Sequence, residues 1–379
     1  MAMHKSMRKK IRIMHVVLSM GYGGLERLIS QFALHNGRTS PYELQICCLD
    51  RGGGFLDELA AMQVRYTILN RKPGIFDASL LANLVRLLRT EHIDIVHSHS
   101  GCSLYAALAG RLAGVIGVIH TDHGRLVPDR KGLMLEDRIS SILLNAYVAV
   151  SLELTNYLRE AVGIGQNKLV TILNGIDTGM FRPRSAVEIQ IMKAELGLPA
   201  DAEVIGTVCR LDPVKNLVYM IRSVQGLLHS RRRIVYPIAG DGPDRGAIER
   251  AIENAGLQRK IRLLGERRDV ERIMPVLDVF VLPSVSEGTS MTLLEAMASG
   301  VPVVASNVGG NRALVRHGRN GYLFPLAHPE ELVAAVRNLL DDKQTAKRLG
   351  AQARTIADRE LSFRTMYDKY EGLYATMMS

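Results

Sequence analysis

The 379-residue sequence contains no tryptophan, and aromatic residues make up only 5% of it. Acidic residues are outnumbered by basic ones, which gives a formal net charge of +10. Such a charge favours an anionic partner: a nucleic acid, an anionic membrane or a small molecule that carries phosphate. The basic residues do not alternate with aromatic side chains on which bases could stack. We therefore expect no nucleic-acid partner.

Cysteine is also scarce, with Cys47, Cys48, Cys102 and Cys209 as its four occurrences. None of them forms a CxxC motif, and the adjacent pair is a poor candidate for a disulfide. Free thiols are typical of a reducing compartment.

No apolar run approaches the roughly 18 residues that a membrane-spanning helix needs. The basic start, MAMHKSMRKK, is followed by IRIMHVVLS, which is short and runs into a glycine loop, so no signal peptide is predicted. We expect a cytoplasmic protein that can dock on the inner face of the cytoplasmic membrane.

Short β-branched runs alternate with helical patterns along most of the chain, which predicts parallel sheets covered by helices on both faces. The length suits two domains. The fold class expected is therefore α/β, with two doubly wound Rossmann-like domains. The predicted strands of the two halves are IRIMHVVLS, ELQICCL, VRYTIL, DIVHSH, GVIGVIH and AYVAV, then VIGTVCRL, RIVYPIAGDGP, KIRLLGE, DVFVLPS, PVVAS and GYLFPL.

The alternation lapses between residues 173 and 203, where glycine, proline and charged residues collect. We place a first domain at residues 1–182 and a second at 183–359. The second sheet should be complete before the last helices begin, so residues of about 360–379 are predicted to cross back to the first domain.

Ligands of open parallel sheets bind beyond the carboxyl ends of the strands, so the loops after the strands should carry the chemistry. The first such loop, SMGYGGLERL, has Gly23 and Gly24 before a helix whose free N–H groups can bind an anion. A dinucleotide fingerprint would need glycine where Glu26 stands, which disfavours a nicotinamide cofactor. A simple tight turn remains an alternative.

A second loop, in GVIHTDHGR, carries His120, Asp122 and His123 at a strand end. Imidazoles are common metal ligands, and His97 and His99 could join them. The spacing forms no closed set of ligands, however, and satisfied polar residues are the simpler interpretation. We expect no metal.

Two further loops belong to the second half. The segment RLDPVKN contains Arg210 and Lys215, two cations that suit a diphosphate. A solvated protein surface is an alternative explanation for both residues. In SVSEGTSMTLLEAMASG, Glu287 precedes a helix and Glu295 lies inside it. The helix dipole alone can account for Glu295, but not for Glu287 beside a glycine at the sheet edge.

Together these loops resemble those of the family 4 retaining glycosyltransferases, also called glycosyl transferases group 1, of the bacterial surface-polysaccharide type. The resemblance rests on GYGGLER, HTDHG, NGID at 174–177, RLDPVKN, GDGP at 240–243 and the pair Glu287 and Glu295. It covers nearly the whole chain, and the glutamate pair is its most specific part. It implies a GT-B fold, in which the two domains face a central cleft, and an enzyme that takes a nucleotide diphosphate sugar as donor.

The resemblance also implies roles for individual residues. Glu295 resembles the glutamate that binds the ribose, and Glu287 the one at the hydroxyls of the donor sugar. Arg210 and Lys215 match the pair that grips the diphosphate, and His123 matches the histidine near the reaction centre. Backbone groups complete the implied donor site at Gly23, Gly24, Gly288, Thr289, Ser290, Met291 and Thr292, and the base is expected near Gly265, Glu266, Arg267 and Arg268.

The chain has no Asp-x-Asp motif, so we expect transfer without a metal or other cofactor. Two residues depart from the family pattern: Cys209 stands where glycine often precedes the arginine, and Ala313 where glutamate often follows the paired glycines. UDP-sugars are the donors that the family favours, with GDP-mannose next.

The acceptor is expected to be a saccharide or a lipid-linked glycan. Basic residues after the HTDHG loop, Arg125, Arg130, Lys131 and Arg138, could face an anionic lipid, although a solvated helix face explains them as well. A UDP-sugar 2-epimerase of the same fold remains an alternative, as does a non-catalytic nucleotide-binding scaffold. The oligomeric state is open.

Overall fold

The computed structural model describes residues 10–21, 23–35, 40–72, 76–124 and 129–378. They form two compact units. Unit 1 comprises Met1–Leu173 with Tyr367–Ser379, and unit 2 comprises Asn174–Met366.

Unit 1 contains a sheet whose strands are all parallel. Within the described ranges, seven strands pair in the order β3-β2-β1-β4-β5-β6-β7. The strands are β1 Ile11–Ser19, β2 Tyr42–Arg51, β3 Arg65–Ile68, β4 Ile95–His99, β5 Gly117–Asp122, β6 Ala146–Ala149 and β7 Leu169–Thr171. The helices are α1 Gly24–His35, α2 Leu56–Ala61, α3 Ala78–Thr90, α4 Ser103–Ala113, α5 Lys131–Leu143 and α6 Leu152–Tyr157, which continues as a π turn, Leu158–Val162.

The sequence explains these elements locally. Helix α3 buries Leu80, Leu84 and Leu88, spaced four residues apart, and Asp77 caps it by accepting hydrogen bonds from the N–H groups of Ser79 and Leu80. Strand β7 was not predicted, because its three residues are too few to show a pattern.

Unit 2 repeats the parallel arrangement, and its described strands pair in the order β10-β9-β8-β11-β12-β13. They are β8 Glu203–Val208, β9 Ile234–Ala239, β10 Ile261–Gly265, β11 Val279–Leu282, β12 Val303–Ser306 and β13 Gly321–Phe324. The helices are α7 Ala186–Glu195, α8 Leu217–Ser230, α9 Arg245–Asn254, α10 Val270–Ile273, α11 Met291–Ala298, α12 Asn311–Leu314, α13 Pro329–Asp341 and α14 Lys343–Glu360. The last helix, α15 Phe363–Ala375, begins in unit 2 and continues into unit 1. Strand order reverses between β8 and β11, and a ligand crevice is expected beyond the carboxyl ends there.

Helix α15 belongs to both units, as the predicted crossing of the C-terminal helix requires. At its start, Phe363 donates its N–H to the carbonyl of Ile176 at 2.8 Å in unit 2. Towards its end, the Tyr374 hydroxyl lies 2.7 Å from Nδ1 of His97 in unit 1. The chain divides between Leu173 and Asn174, whereas the sequence suggested residue 182. Ile176 pairs with Ser362, which draws the NGID segment into unit 2.

All four cysteines are buried free thiols. Within the described parts of the chain, no helix combines the length and apolar character that crossing a bilayer would require.

Candidate active site

The loops beyond the carboxyl ends of the unit 2 strands are joined by backbone hydrogen bonds. Leu211, after β8, donates its N–H to the carbonyl of Asp241, after β9, at 2.9 Å. Gly240 in turn donates to the carbonyl of Gly265, at the end of β10, at 2.7 Å. These bonds hold three loops, RLDPVKN, GDGP and the segment after β10, in one layer.

A contact between two further loops brings the predicted site residues Lys215 and Glu287 together. Val285, after β11, donates its N–H to the carbonyl of Val214 at 2.9 Å. Lys215 Nζ lies 2.6 Å from Glu287 Oε1, and the two side chains are 20% and 8% exposed. The Ser284 hydroxyl donates to the same oxygen at 2.6 Å. Both contacts are made to Oε1, so neither of them occupies the second carboxylate oxygen, Oε2.

The backbone at Glu287 and Gly288 packs on a glycine turn that precedes α12. Gly310 donates its N–H to the Glu287 carbonyl at 2.9 Å. A Cβ atom on Gly309 would collide with the carbonyl oxygen of Glu287, and one on Gly310 with that of Gly288. The sequence does not reveal this role of the turn, although a glycine pair just after a buried strand is a signal for it.

The GDGP loop supports the loop of Arg210 and Lys215 in the same way. Gly240 has φ +137°, and a Cβ atom there would collide with the carbonyl of Cys209. Cys209 itself is buried, and burial raises the pKa of its thiol to about 12. Its departure from the family's glycine is therefore accommodated by an uncharged side chain directed into the core cluster.

Helix α11 begins at Met291, with Ser290 as its N-cap: the Ser290 hydroxyl accepts from the Leu293 N–H at 3.3 Å. Thr289 and Ser290 therefore lie just before the helix, and Met291 and Thr292 in its first turn. Glu295 is 4% exposed, which is unusual for a carboxylate. The helix ends before Gly300 at φ +73°.

The remaining predicted donor residues differ in their surroundings. The Arg210 side chain is 70% exposed and lies 3.3 Å from Asp212. Arg267, just after Gly265 and Glu266, makes a two-pronged contact with Asp269 at 2.9 and 2.7 Å. The Arg267 guanidinium is therefore already engaged by Asp269. Arg268 follows in the same exposed segment.

In unit 1, Gly23 and Gly24 lie where predicted, at the start of α1. Arg27 donates its N–H to the Gly23 carbonyl at 3.0 Å. The Glu26 carboxylate approaches Gly23 closely, and burial raises the pKa of that carboxyl.

His123 lies just beyond β5 and is partly buried; it belongs to a chain of three imidazoles whose other two members are buried. Its Nε2 is 2.9 Å from His99 Nδ1, and His99 Nε2 is 3.0 Å from His15 Nδ1. Burial lowers the pKa of His15 to about 3 and holds that of His99 well below its usual value. His15 was missed in the sequence, because a histidine inside a strand reads as core. What distinguishes His15 is its position in the sheet, where it pairs with His97 on the adjacent strand.

The histidine cluster does not match the metal set considered from the sequence. Nδ1 of His120 lies 2.9 Å from the Ser98 hydroxyl. A different group, His15, His97 and His99, has one ring nitrogen from each residue within 4.8 Å of those of the other two. Both nitrogens of His97 are hydrogen-bonded, Nδ1 to Tyr374 at 2.7 Å and Nε2 to Thr121 at 2.8 Å. The cluster is therefore a hydrogen-bond network within the described residues.

Family models match both halves of the chain. The model described as Glycosyltransferase Family 4 matches residues 22–179, and the model described as Glycosyl transferases group 1 matches residues 188–356.

Among curated relatives, an Escherichia coli UDP-Gal:alpha-D-GlcNAc-diphosphoundecaprenol alpha-1,3-galactosyltransferase is 30% identical over 353 residues, which cover 89% of this chain and 90% of the relative. A Bacillus anthracis N-acetyl-alpha-D-glucosaminyl L-malate synthase is 25% identical, covering 82% of this chain and 81% of that protein.

Among solved structures, Anabaena HepE in complex with UDP superimposes with a TM-score of 0.84 at 22% identity, covering 97% of this chain and all of that one. At that identity the likeness concerns the fold alone, and it confirms the predicted pair of Rossmann-like units as GT-B. With matches to both family models and a 30% identical relative over nine-tenths of its length, the chain belongs to the group 1, family 4 glycosyltransferases.

Proposed function

We propose that this enzyme is a metal-independent, retaining hexosyltransferase that moves a sugar from a UDP-sugar to a lipid-linked saccharide in cell-surface glycan biosynthesis. The observation that carries the proposal is the close pair of Lys215 Nζ and Glu287 Oε1, held at the switch point of the unit 2 sheet. The E. coli relative, whose name specifies a UDP-sugar and a diphosphoundecaprenol acceptor, supports the donor and acceptor classes.

The geometry suits the charges of this reaction. The C1–O bond to the diphosphate breaks, a new C1–O bond to the acceptor hydroxyl forms, and the departing UDP carries the negative charge. An ammonium group has three N–H donors, and Glu287 occupies one of those of Lys215, so the others can bind phosphate oxygens. In this proposal the leaving phosphate takes the acceptor proton, and the new bond forms on the face from which UDP departs.

The second oxygen of Glu287 would accept from sugar hydroxyls, while Oε1 stays bonded to Lys215 and Ser284. A single carboxylate thus links the diphosphate-binding cation to the sugar and sets their separation. We further propose that Glu295 binds the ribose, that the N–H groups of Met291 and Thr292 face the phosphates, and that the base lies near Glu266.

The test is nucleotide release from a panel of UDP-sugars and GDP-mannose, with and without a diphosphate-linked lipid saccharide. Acceptor-stimulated release of UDP, with the anomeric configuration retained in the product by NMR, is the expected result. Conversion of a UDP-sugar to its 2-epimer without acceptor would instead establish an epimerase. Tight UDP binding with no turnover of any donor would establish a nucleotide-binding scaffold.

A lipid-linked acceptor lies in a membrane, which the enzyme must reach. Helix α5 of unit 1 has a surface that suits such a contact. Leu135, Ile139 and Ile142 recur at spacings of four and three residues, so they share one face of the helix, and they are 58%, 46% and 72% exposed. The inward face is polar instead, with Asp137, Ser140 and Ser141 buried.

The polarity of α5 is therefore the reverse of what a helix on a water-facing surface shows. Asp137 accepts from the Tyr147 hydroxyl at 3.0 Å, which satisfies the inward face. Arg130, Lys131 and Arg138 are exposed at or near the helix, whereas Arg125 lies outside the described residues. Apolar side chains flanked by cations suit an anionic bilayer surface, and we propose that α5 docks the enzyme on the inner face of the cytoplasmic membrane.

Sedimentation with vesicles tests this docking. The wild-type protein should bind vesicles containing phosphatidylglycerol, and Ile139→Ser with Ile142→Ser should abolish binding. The matched control is Val187→Ser with Ile191→Ser on α7, which removes two apolar side chains of similar exposure, 71% and 54%, from unit 2. Equal binding by all three proteins would overturn the assignment of α5.

A further inference from the structure

Two buried histidines have no part in the donor chemistry proposed above, yet they are linked to His123. The chain runs from His15, in the middle of β1, through His99, at the end of β4, to His123, just after β5. Its two links are nitrogen-to-nitrogen distances of 3.0 and 2.9 Å. We propose that His15 and His99 are positioning residues that fix which ring nitrogen of His123 carries the proton.

The argument follows from the hydrogen-bonding capacity of imidazole. A neutral ring has one N–H donor and one bare nitrogen acceptor, and each link needs one of each. Both links join an Nδ1 to an Nε2. Consequently the three rings must all carry their protons on Nδ1, or all on Nε2. The tautomer of His123 cannot change unless those of His99 and His15 change with it.

Burial keeps the two inner rings neutral. His15 is fully buried and His99 is 1% exposed, and burial lowers the pKa of both well below its usual value. Both nitrogens of His99 belong to links, so a second proton on that ring would place two N–H groups against each other at one link. A second proton on His15 would do the same when the rings carry their protons on Nε2. The neutral state is therefore the one in which the chain stays intact.

The packing around His15 holds the inner end of the chain in place. The His15 ring stacks on His99 with centroids 5.2 Å apart and planes inclined by 13°, and it lies 5.1 Å from the Phe32 ring. Among the described residues its Nε2 is buried without a hydrogen-bond partner, so the chain ends there. An unsatisfied buried nitrogen costs stability, and its retention in the core calls for a functional explanation.

His97 is a neighbour of the chain but not a link in it. Its nitrogens are bonded to Tyr374 and Thr121, so both are occupied by partners outside the His15–His99–His123 chain. His120, 1% exposed and bonded to Ser98, is a buried histidine of the same sheet outside the chain. It provides a matched control.

The experiment uses the full chain with 15N-labelled histidine and two-bond proton–nitrogen correlation spectra, which distinguish the two neutral tautomers. We expect His15, His99 and His123 to share one tautomer. Different tautomers among the three would overturn the proposal. This measurement on the wild-type protein needs no variant and no bound substrate.

Variants then test the coupling. His15→Phe removes the first link while keeping a ring in the core, and should shift the ring nitrogen signals of His123. His15→Asn, which retains a hydrogen-bonding group near the position of Nδ1, should restore them, and His120→Asn should leave them unchanged. Unchanged His123 signals in folded His15→Phe would overturn the proposal.

The consequence for catalysis rests on the proposed function. His15→Phe should lower kcat about five- to tenfold, as expected for one lost hydrogen bond, with little change in KM for the donor. His120→Asn should change neither constant. If the wild-type protein transfers no sugar, the proposed function fails while the shared tautomer can still be observed. If transfer occurs and the tautomers differ, the relay alone fails.

Discussion

Lys215 Nζ lies 2.6 Å from Oε1 of Glu287, in a layer of loops at the strand ends of unit 2. The carboxylate is the more buried partner, at 8% exposure. A pair so removed from water is disrupted more severely by losing one partner than an exposed pair would be. The two residues should therefore act as a unit, each holding the other in place for the donor.

Glu287→Gln should lower kcat roughly 10²- to 10³-fold, because the amide neither balances Lys215 nor accepts from the sugar as a carboxylate does. UDP binding should weaken less than kcat falls, since Lys215 keeps its charge even when Glu287 no longer holds it in place. Steady-state release of UDP and calorimetric binding of UDP measure the two effects.

Glu203→Gln is the matched control, because Glu203 forms an ion pair of similar length with Arg231, 2.9 Å, at the opposite, amino-terminal end of β8. It should leave kcat as in the wild type. Equal losses in the two variants would mean that Glu287 acts only through general stability.

Gly310→Ala should disorganise the donor site without altering any predicted donor-binding side chain. Its Cβ atom would collide with the carbonyl of Gly288, so the loop that carries Glu287 must move. We expect an at least tenfold rise in KM for the donor and a lower melting temperature.

Gly226→Ala provides the comparison, since Gly226 lies within α8 and a Cβ atom there meets nothing within 4 Å. Alanine should stabilise that helix by about 0.5–1 kcal/mol and leave KM unchanged. If Gly310→Ala behaves like Gly226→Ala, the glycine turn does not position the loop.

The sequence predicted most of the fold, because buried parallel strands carry continuous β-branched runs that are recognisable one at a time. It also named Lys215 and Glu287, but not their contact. That contact joins residues 72 positions apart and depends on β8 and β11 being neighbours in the sheet, which no local pattern specifies.

Two other features, the role of His15 and the exposed apolar face of α5, could not be predicted from the sequence, and each has a physical reason. His15 stands inside an apolar strand and reads as core until its neighbours across the sheet are known. The sequence does not show the reversed polarity of α5, because Leu135 and Ile139 have the spacing of core positions in a helical pattern. Only their exposure distinguishes them.

Removal of divalent metal should not change the rate of transfer. In the proposed mechanism Lys215 neutralises the leaving diphosphate, and no step requires a bound metal ion. UDP release should be the same within twofold after dialysis against EDTA and after addition of Mg²⁺ or Mn²⁺. A tenfold or larger loss with EDTA that Mn²⁺ restores would contradict metal independence.

Tyr374→Phe should destabilise unit 1. It removes the hydroxyl that lies 2.7 Å from Nδ1 of the fully buried His97, and leaves that nitrogen without this partner. The expected loss is about 1–3 kcal/mol of unfolding free energy, measured by urea titration. Tyr322→Phe removes a hydroxyl bonded to Asn338 at an exposed site and should cost less than about 0.5 kcal/mol. Equal losses would mean that the His97 contact contributes no special stability.

The buried histidines should make the protein less stable as the pH falls below about 6.5. The pKa of His15 is about 3 in the folded protein, against about 6.5 in an unfolded chain. Between these values the unfolded state binds a proton that the folded state does not, so stability rises with pH across this window and is fully present above it. His97 and His99, whose pKa values burial also lowers, act in the same direction.

Each of these histidines should contribute about 1.4 kcal/mol of unfolding free energy per pH unit below about 6.5. His15→Leu should therefore reduce the wild-type slope between pH 6 and 4.5 by about that amount. Phe32→Leu, in the ring packed on His15, should lower stability equally at every pH and leave the slope intact, because it removes no titrating group. Urea denaturation at several pH values measures all three slopes, and an unchanged slope in His15→Leu would show that His15 is protonated in the folded protein.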